Sequence, residues 1–112
     1  MTGGEYRVTV RGAGQVELAA FGVADAEHQV EKELLDLWPG CVAEVVDIAR
    51  TDERSRIVEE FAVRYRVRGT ESVAASGEPA ARAVVLRSLR ERFAGTRFAA
   101  VAWDVAEAVP GA

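Results

Sequence analysis

From Tyr6 to Arg11 apolar and polar residues alternate, with Tyr6, Val8 and Val10 on one phase and Arg7, Thr9 and Arg11 on the other. Period two marks a half-buried strand. Gly12-Ala13-Gly14 interrupts the pattern, and Val16, Leu18 and Ala20 resume it on the even phase. Residues 6–21 therefore read either as one long bulged strand or as a hairpin with a short glycine loop. Asp25 is a favourable N-cap and Glu27 suits the first turn of a helix. Ala26, Val30, Leu34 and Leu37 then recur on one helical face until Pro39-Gly40 stop it. A second strand is expected over about Cys41 to Arg50, and the polar run from Thr51 to Ser55 reads as a hairpin tip. The third strand, about Arg56 to Arg68, turns Ile57, Phe61, Val63, Tyr65 and Val67 one way and Arg64, Arg66 and Arg68 the other. After a loop from Gly69 to Gly77, Pro79 suits the first turn of a second helix. Its stripe is Ala81 or Arg82, then Val85, Leu86, Leu89 and Phe93. Arg90 and Arg92 complement its C-terminal dipole, and Gly95 is a natural C′ residue. The last strand is expected from Arg97 to Glu107, with Ala99, Val101, Trp103 and Val105 on one face and a fraying tail from Val109.

Strand, helix, strand, strand, helix, strand is the order of a split βαβ unit. The expected fold is a single α+β domain over residues 1–112, with an ordered core of about 5–108. In it a four-stranded antiparallel sheet of order 4-1-3-2 carries both helices on one face. A faint repeat agrees: Leu37-Trp38-Pro39-Gly40 resembles Arg92-Phe93-Ala94-Gly95, and Asp47-Ile48-Ala49 resembles Asp104-Val105-Ala106. The architecture resembles the small ferredoxin-like proteins, among them ligand-sensing modules and the dimeric αβ-barrel group of cofactor-free oxygenases and small-molecule cyclases. The resemblance lies in the order of elements and includes no family motif, so it carries over no active site.

With both helices on one face, the other face of the sheet is uncovered. Its expected centre is arginine-rich: Arg7, Thr9 and Arg11 on the first strand, Ala62, Arg64, Arg66 and Arg68 on the third. Asp47 and Asp104 are expected to point outward from the two edge strands, beside Cys41 and Ala43 on one side and an apolar strip of Phe98, Ala100 and Ala102 on the other. An uncovered face of mixed character suits a homodimer or an anionic ligand, because the planar guanidinium pairs bidentately with carboxylate or phosphate. Arg7, Arg11, Arg64, Arg66, Asp47, Asp104 and Phe98 are thus the candidate ligand-binding or interface residues.

Composition narrows the classes. In 112 residues, 49% are hydrophobic and 29% charged, which is globular. The net charge of −4 disfavours non-specific attachment to nucleic acid or anionic membrane. RNA recognition on this topology stacks bases on aromatics of the central strands, and here those positions hold Arg7, Thr9, Ala62, Arg64 and Arg66. No run approaches ~18 uninterrupted apolar residues, so no membrane span is expected. At a start with neither basic residues nor an apolar run no signal peptide is expected, and a lone cysteine fits a reducing, cytoplasmic setting. His28 and Cys41, the only residues of their types, fall short of a zinc pattern, so neither metal nor cofactor is expected. No G-x-S-x-G elbow is present, and Gly12-Ala13-Gly14 lacks the third glycine of a dinucleotide fingerprint. Trp38 and Trp103 read as core or rim aromatics. Glu44 and Glu59 fall on the core phase beside Tyr6 and Tyr65. If a polar pocket opens between sheet and helices, Glu59, Glu44, Tyr65, Tyr6 or His28 would be the acid or base of a cofactor-independent enzyme. The leading expectation is a small ligand-binding or accessory protein, homodimeric through its open sheet face.

Overall fold

A computed structural model describes residues 3–51 and 58–111. Its elements are β1 (Gly4–Ala20), α1 (Val23–Leu37), β2 (Val42–Arg50), β3 (Glu59–Ala75), α2 (Glu78–Phe93) and β4 (Ala102–Pro110). The strands form one antiparallel sheet in the order β2-β3-β1-β4. Both helices pack their stripes into one core on the same side of it. The order β-α-β-β-α-β is consistent with a ferredoxin-like split βαβ fold. Of the expected hairpin tip and third-strand start, residues 52–57 lie outside the described residues. Thr51 is described, and its N–H donates to the Glu60 carbonyl (2.9 Å).

β1 is one continuous strand. It pairs with β3 from Gly4↔Ala75 to Ala20↔Glu59 without a register shift. The glycines that break the pattern make neither a turn nor a bulge. They face the core beneath aromatic rings: a Cβ on Gly12 would stand 2.7 Å from the Trp103 ring, and one on Gly14 2.6 Å from the Tyr65 hydroxyl oxygen. A long β1 requires an equally long partner, so Gly69–Ala75, expected as a loop, continues β3. Gly69 repeats the arrangement, with the Trp38 ring 2.5 Å from where its Cβ would be.

The edge strands each contain one extra residue. Val46 has no partner in the β2–β3 register and Ala106 none in the β4–β1 register. A bulge inverts the alternation that follows it. On β2 this sends Ala43, Val45 and Ile48 toward the helices and leaves Val42, Glu44 and Asp47 on the open face. Asp47 lies beyond the bulge and is placed as expected. Glu44 and Ala43 lie before it and are reversed: Glu44 is exposed and Ala43 packs on the core. Cys41 is buried as well. Its thiol donates to the Leu34 carbonyl (3.8 Å), and burial pushes its pKa up, away from thiolate chemistry.

The internal repeat is closer than the short sequence match suggests. Ala26, Val30, Leu34 and Trp38 are buried on or just after α1, and Ala81, Val85, Leu89 and Phe93 on α2, each pair 55 positions apart. Gly40 and Gly95, at the same spacing, both take positive φ (87° and 75°) after their helices. Gly12 and Val67 share this spacing and also pair with each other, so a local two-fold axis passes between them. By burial pattern Glu44 matches Asp104, and Asp47 matches Glu107. The turn before β4 is longer than that before β2, which misaligns the two halves by eye.

Three boundaries differ from expectation. Asp25 acts from within the first turn of α1 rather than as its N-cap, accepting from the Phe21 N–H (3.0 Å) and from Gln29 Nε2 (3.1 Å). Residues 96–101 form hydrogen-bonded turns, not the start of a strand: Ala99 N–H donates to Thr96 O (3.1 Å) and Val101 N–H to Phe98 O (3.1 Å). Those turns drive Phe98 inward, 1% exposed, against Tyr65 (ring centroids 5.2 Å apart). The tail is paired as far as Gly111, because β4 reaches Pro110 and Gly111 N–H donates to Glu5 O (2.6 Å).

Candidate functional site

The space between sheet and helices is filled. Trp38, Phe61, Phe93, Phe98, Leu34 and Leu89 are fully buried there. Trp103 packs edge-to-face with Phe93 (ring centroids 4.9 Å apart) and with Trp38 (5.9 Å), the geometry aromatic quadrupoles favour. The candidate acids and bases of an enzyme are not brought together. Glu44 is on the open face. Glu59 is on the helix side, ion-paired with Arg50. His28 is exposed on α1. Tyr6 is half-buried opposite Val73, whereas Tyr65 pairs with Gly14, eight residues along the strand or roughly 27 Å away at ~3.4 Å per residue.

The Tyr65 ring is buried against Phe98. Burial pushes its pKa up from 10.0 to about 12. The neutral phenol is the form the fold accommodates. Above pH 10 the unfolded chain releases this proton and the folded chain retains it, so stability falls as pH rises toward 12. We expect denaturation midpoints to drop between pH 10 and 12, by an amount scaling with about 1.4 kcal/mol per unit of displacement. Tyr65→Phe should flatten that drop, and an unchanged pH profile in the variant would locate the sensitivity elsewhere.

The open face carries the other candidates except Phe98. Three rows cross it: Val42, Arg68, Arg11 and Asp104; Glu44, Arg66, Ala13 and Ala102; Asp47, Arg64 and Gln15. Period-two alternation on β1 and β3 puts their arginines there, and the edge strands set acids beside them. Arg11 Nη2 donates to Asp104 Oδ2 (2.7 Å), with both side chains well exposed, so solvent screens the pair and its contribution is small. Among the described residues, Arg64, Arg66 and Arg68 have no carboxylate within 4.0 Å. A depression of about 410 Å³ lies over the first two rows, and a second of about 440 Å³ is lined by Gln15, Val46, Arg64 and Arg66. Arg7 is also on this face but farther along, opposite Ser72 and Val109. Of the sequence-derived interface candidates, Arg11, Arg64, Arg66, Asp47 and Asp104 cluster in these rows, and Phe98 is in the core. Val42 was missed. It is 70% exposed beside Arg68, and only knowledge of the Val46 bulge would have placed it there.

Among the described residues no three His, Cys, Asp or Glu side chains are gathered to hold a metal ion. Also among them, no helix is long and apolar enough to cross a membrane.

No protein-family model matches the chain, and no curated protein matches it. Among solved structures it is similar to a hydantoinase/carbamoylase family amidase from Burkholderia ambifaria, at 19% identity and a TM-score of 0.32. It is also similar to AtUAH in complex with glyoxylate, at 15% identity and a TM-score of 0.30. The alignments cover 98% and 97% of this chain but 29% of each of those chains. The chain thus spans less than a third of the proteins it aligns with, and likeness at this level assigns it no activity.

Proposed function

We propose that this chain is a small binding domain that acts through the uncovered face of its sheet and self-associates there as a homodimer. The observation that carries the reading is the run Arg64, Arg66 and Arg68, which has no carboxylate within salt-bridge distance among the described residues. An antiparallel sheet can leave one face to water if that face is polar, but this one is mixed. Val42, Ala13 and Ala102 line the same depression as Arg66 and Arg68, which suits a partner that supplies carboxylates and covers small apolar surface. The sheet edges are poor partners by comparison. Each has a bulge, at Val46 or Ala106, and carries acids, Glu44 and Asp47 on β2, Asp104 and Glu107 on β4. Bulges and charges are devices that discourage edge-to-edge pairing.

Size-exclusion chromatography with light scattering tests the reading on wild type and on Arg64→Glu/Arg66→Glu. Wild type is expected to be dimeric at micromolar concentration and the double variant monomeric with an unchanged circular-dichroism spectrum. A monomeric wild type, or a dimer indifferent to the double reversal, overturns it.

A further inference from the structure

The charges of the open face are segregated along the strands. On β3 the open-face positions run Glu60, Ala62, Arg64, Arg66, Arg68, and opposite them on β1 stand Ala19, Glu17, Gln15, Ala13 and Arg11. One end of this stretch is acidic and the other basic, with Arg64 and Gln15 midway. Among the described residues, Arg68 at the basic end and Glu17 and Glu60 at the acidic end have no oppositely charged partner within 4.0 Å. Arg68 has Val42 on one side and Arg11 on the other, and like charges directly opposite one another are destabilising. Arg11 has Asp104 as its partner and Arg68 has none.

We infer that the occupant of this face is a second copy of the chain, turned by a half-turn about an axis that lies between the two sheets along the Arg64–Gln15 row, so that Arg68 of each copy meets Glu60 of the other. The inference rests on the homodimer reading and gives it a register. Arg68 and Glu60 stand four residues on either side of Arg64, so one two-fold axis makes both contacts at once, as a self-complementary interface requires. The same operation sets Ala13 and Arg66 over the neighbourhood of Glu17. Stacked sheets lie ~10 Å apart, a gap that an extended arginine and glutamate bridge together. Ala13, Ala19 and Ala62 let the faces approach. The overlap from position 60 to 68 is about 30 Å long at ~3.4 Å per residue and some three strands wide at ~4.8 Å each. That amounts to on the order of 1,000 Å² over both copies, the lower bound for a specific interface. The association is therefore expected to be concentration-dependent and weakened by salt.

Sedimentation equilibrium on the full chain tests the register with Arg68→Glu, Glu60→Arg, an equimolar mixture of the two, and the double variant. Both positions are exposed, and melting curves confirm that each variant folds. Each single reversal is expected to raise the dissociation constant by about tenfold or more. In the mixture one chain carries acids at both positions and the other carries bases at both, so a heterodimer is expected to recover affinity to within about threefold of wild type. The double variant, with both signs exchanged, is expected to recover likewise. If wild type dimerises but the single reversals leave its affinity unchanged, or weaken it with no recovery on mixing, this register is wrong while the homodimer reading stands. If wild type is monomeric, both fall.

Discussion

Replacing Trp38 by alanine is expected to destabilise the fold by about 3–5 kcal/mol, the range for removing a large aromatic from a packed core. Trp38 is 1% exposed just beyond the end of α1. Its ring lies over Gly69 and packs edge-to-face with Trp103. Those neighbours cannot close the gap, because Gly69 has no side chain and Trp103 is also held by Phe93. Most of the vacated volume is therefore expected to persist as a cavity. Chemical denaturation should show a lower midpoint at an unchanged slope. Since domains of this size are stable by about 5–15 kcal/mol, the variant is expected to sit near the limit of folding. Val84→Ala, on the exposed side of α2, is the control, expected within about 0.5 kcal/mol of wild type. An effect below about 1 kcal/mol for Trp38→Ala would mean that the ring is not packed as described.

The second large effect is expected from a single added methyl. Gly69→Ala places a Cβ 2.5 Å from a Trp38 ring atom, well inside van der Waals contact. In an open position the change from glycine to alanine stabilises by about 0.4–1 kcal/mol through the unfolded chain. Here overpacking outweighs that gain, and a net loss of about 1–3 kcal/mol is expected. Gly4→Ala, where nothing lies within 4 Å of the new atom, supplies the contrast. A double-mutant cycle with Trp38→Phe separates clash from propensity. The smaller ring should absorb part of the Gly69→Ala penalty, giving a coupling of about 1 kcal/mol. Additive losses would show that the methyl and the ring do not meet.

These glycines also show what the amino-acid pattern conveys and what it conceals. The helical stripes were legible because each is a continuous 3.6-residue period, and Ala26, Val30, Leu34, Ala81, Val85, Leu89 and Phe93 are all buried. The inner and outer faces of the central strands were legible for the same reason, which is why Arg11, Arg64 and Arg66 were placed together. What failed was interpretation that depends on distant residues. Glycine inside a strand signals a turn, a bulge or a close approach, and only the positions of Trp103, Tyr65 and Trp38 decide for close approach. A bulge leaves no local mark either: Val46 is as good a strand residue as Val45, yet it reverses the meaning of Glu44. Phe98 read as part of an alternating strand until the turns closed by Thr96 and Phe98 carbonyls folded it into the core. The candidate site was thus half visible. Its cations follow from the two central strands and Asp47 and Asp104 from the faint repeat, whereas Glu44 and the exposed Val42 depend on the Val46 bulge.

The hydrogen bond from Gly111 to Glu5 brings the entry and exit of the fold to one place. Topologically the chain is close to a closed ring, because the two βαβ halves follow one another in sequence and almost rejoin here. Adjacent ends are what make a domain tolerant of insertion. The same closeness suits circular permutation: a short linker joining the two ends is expected to leave every strand pairing of the sheet in place.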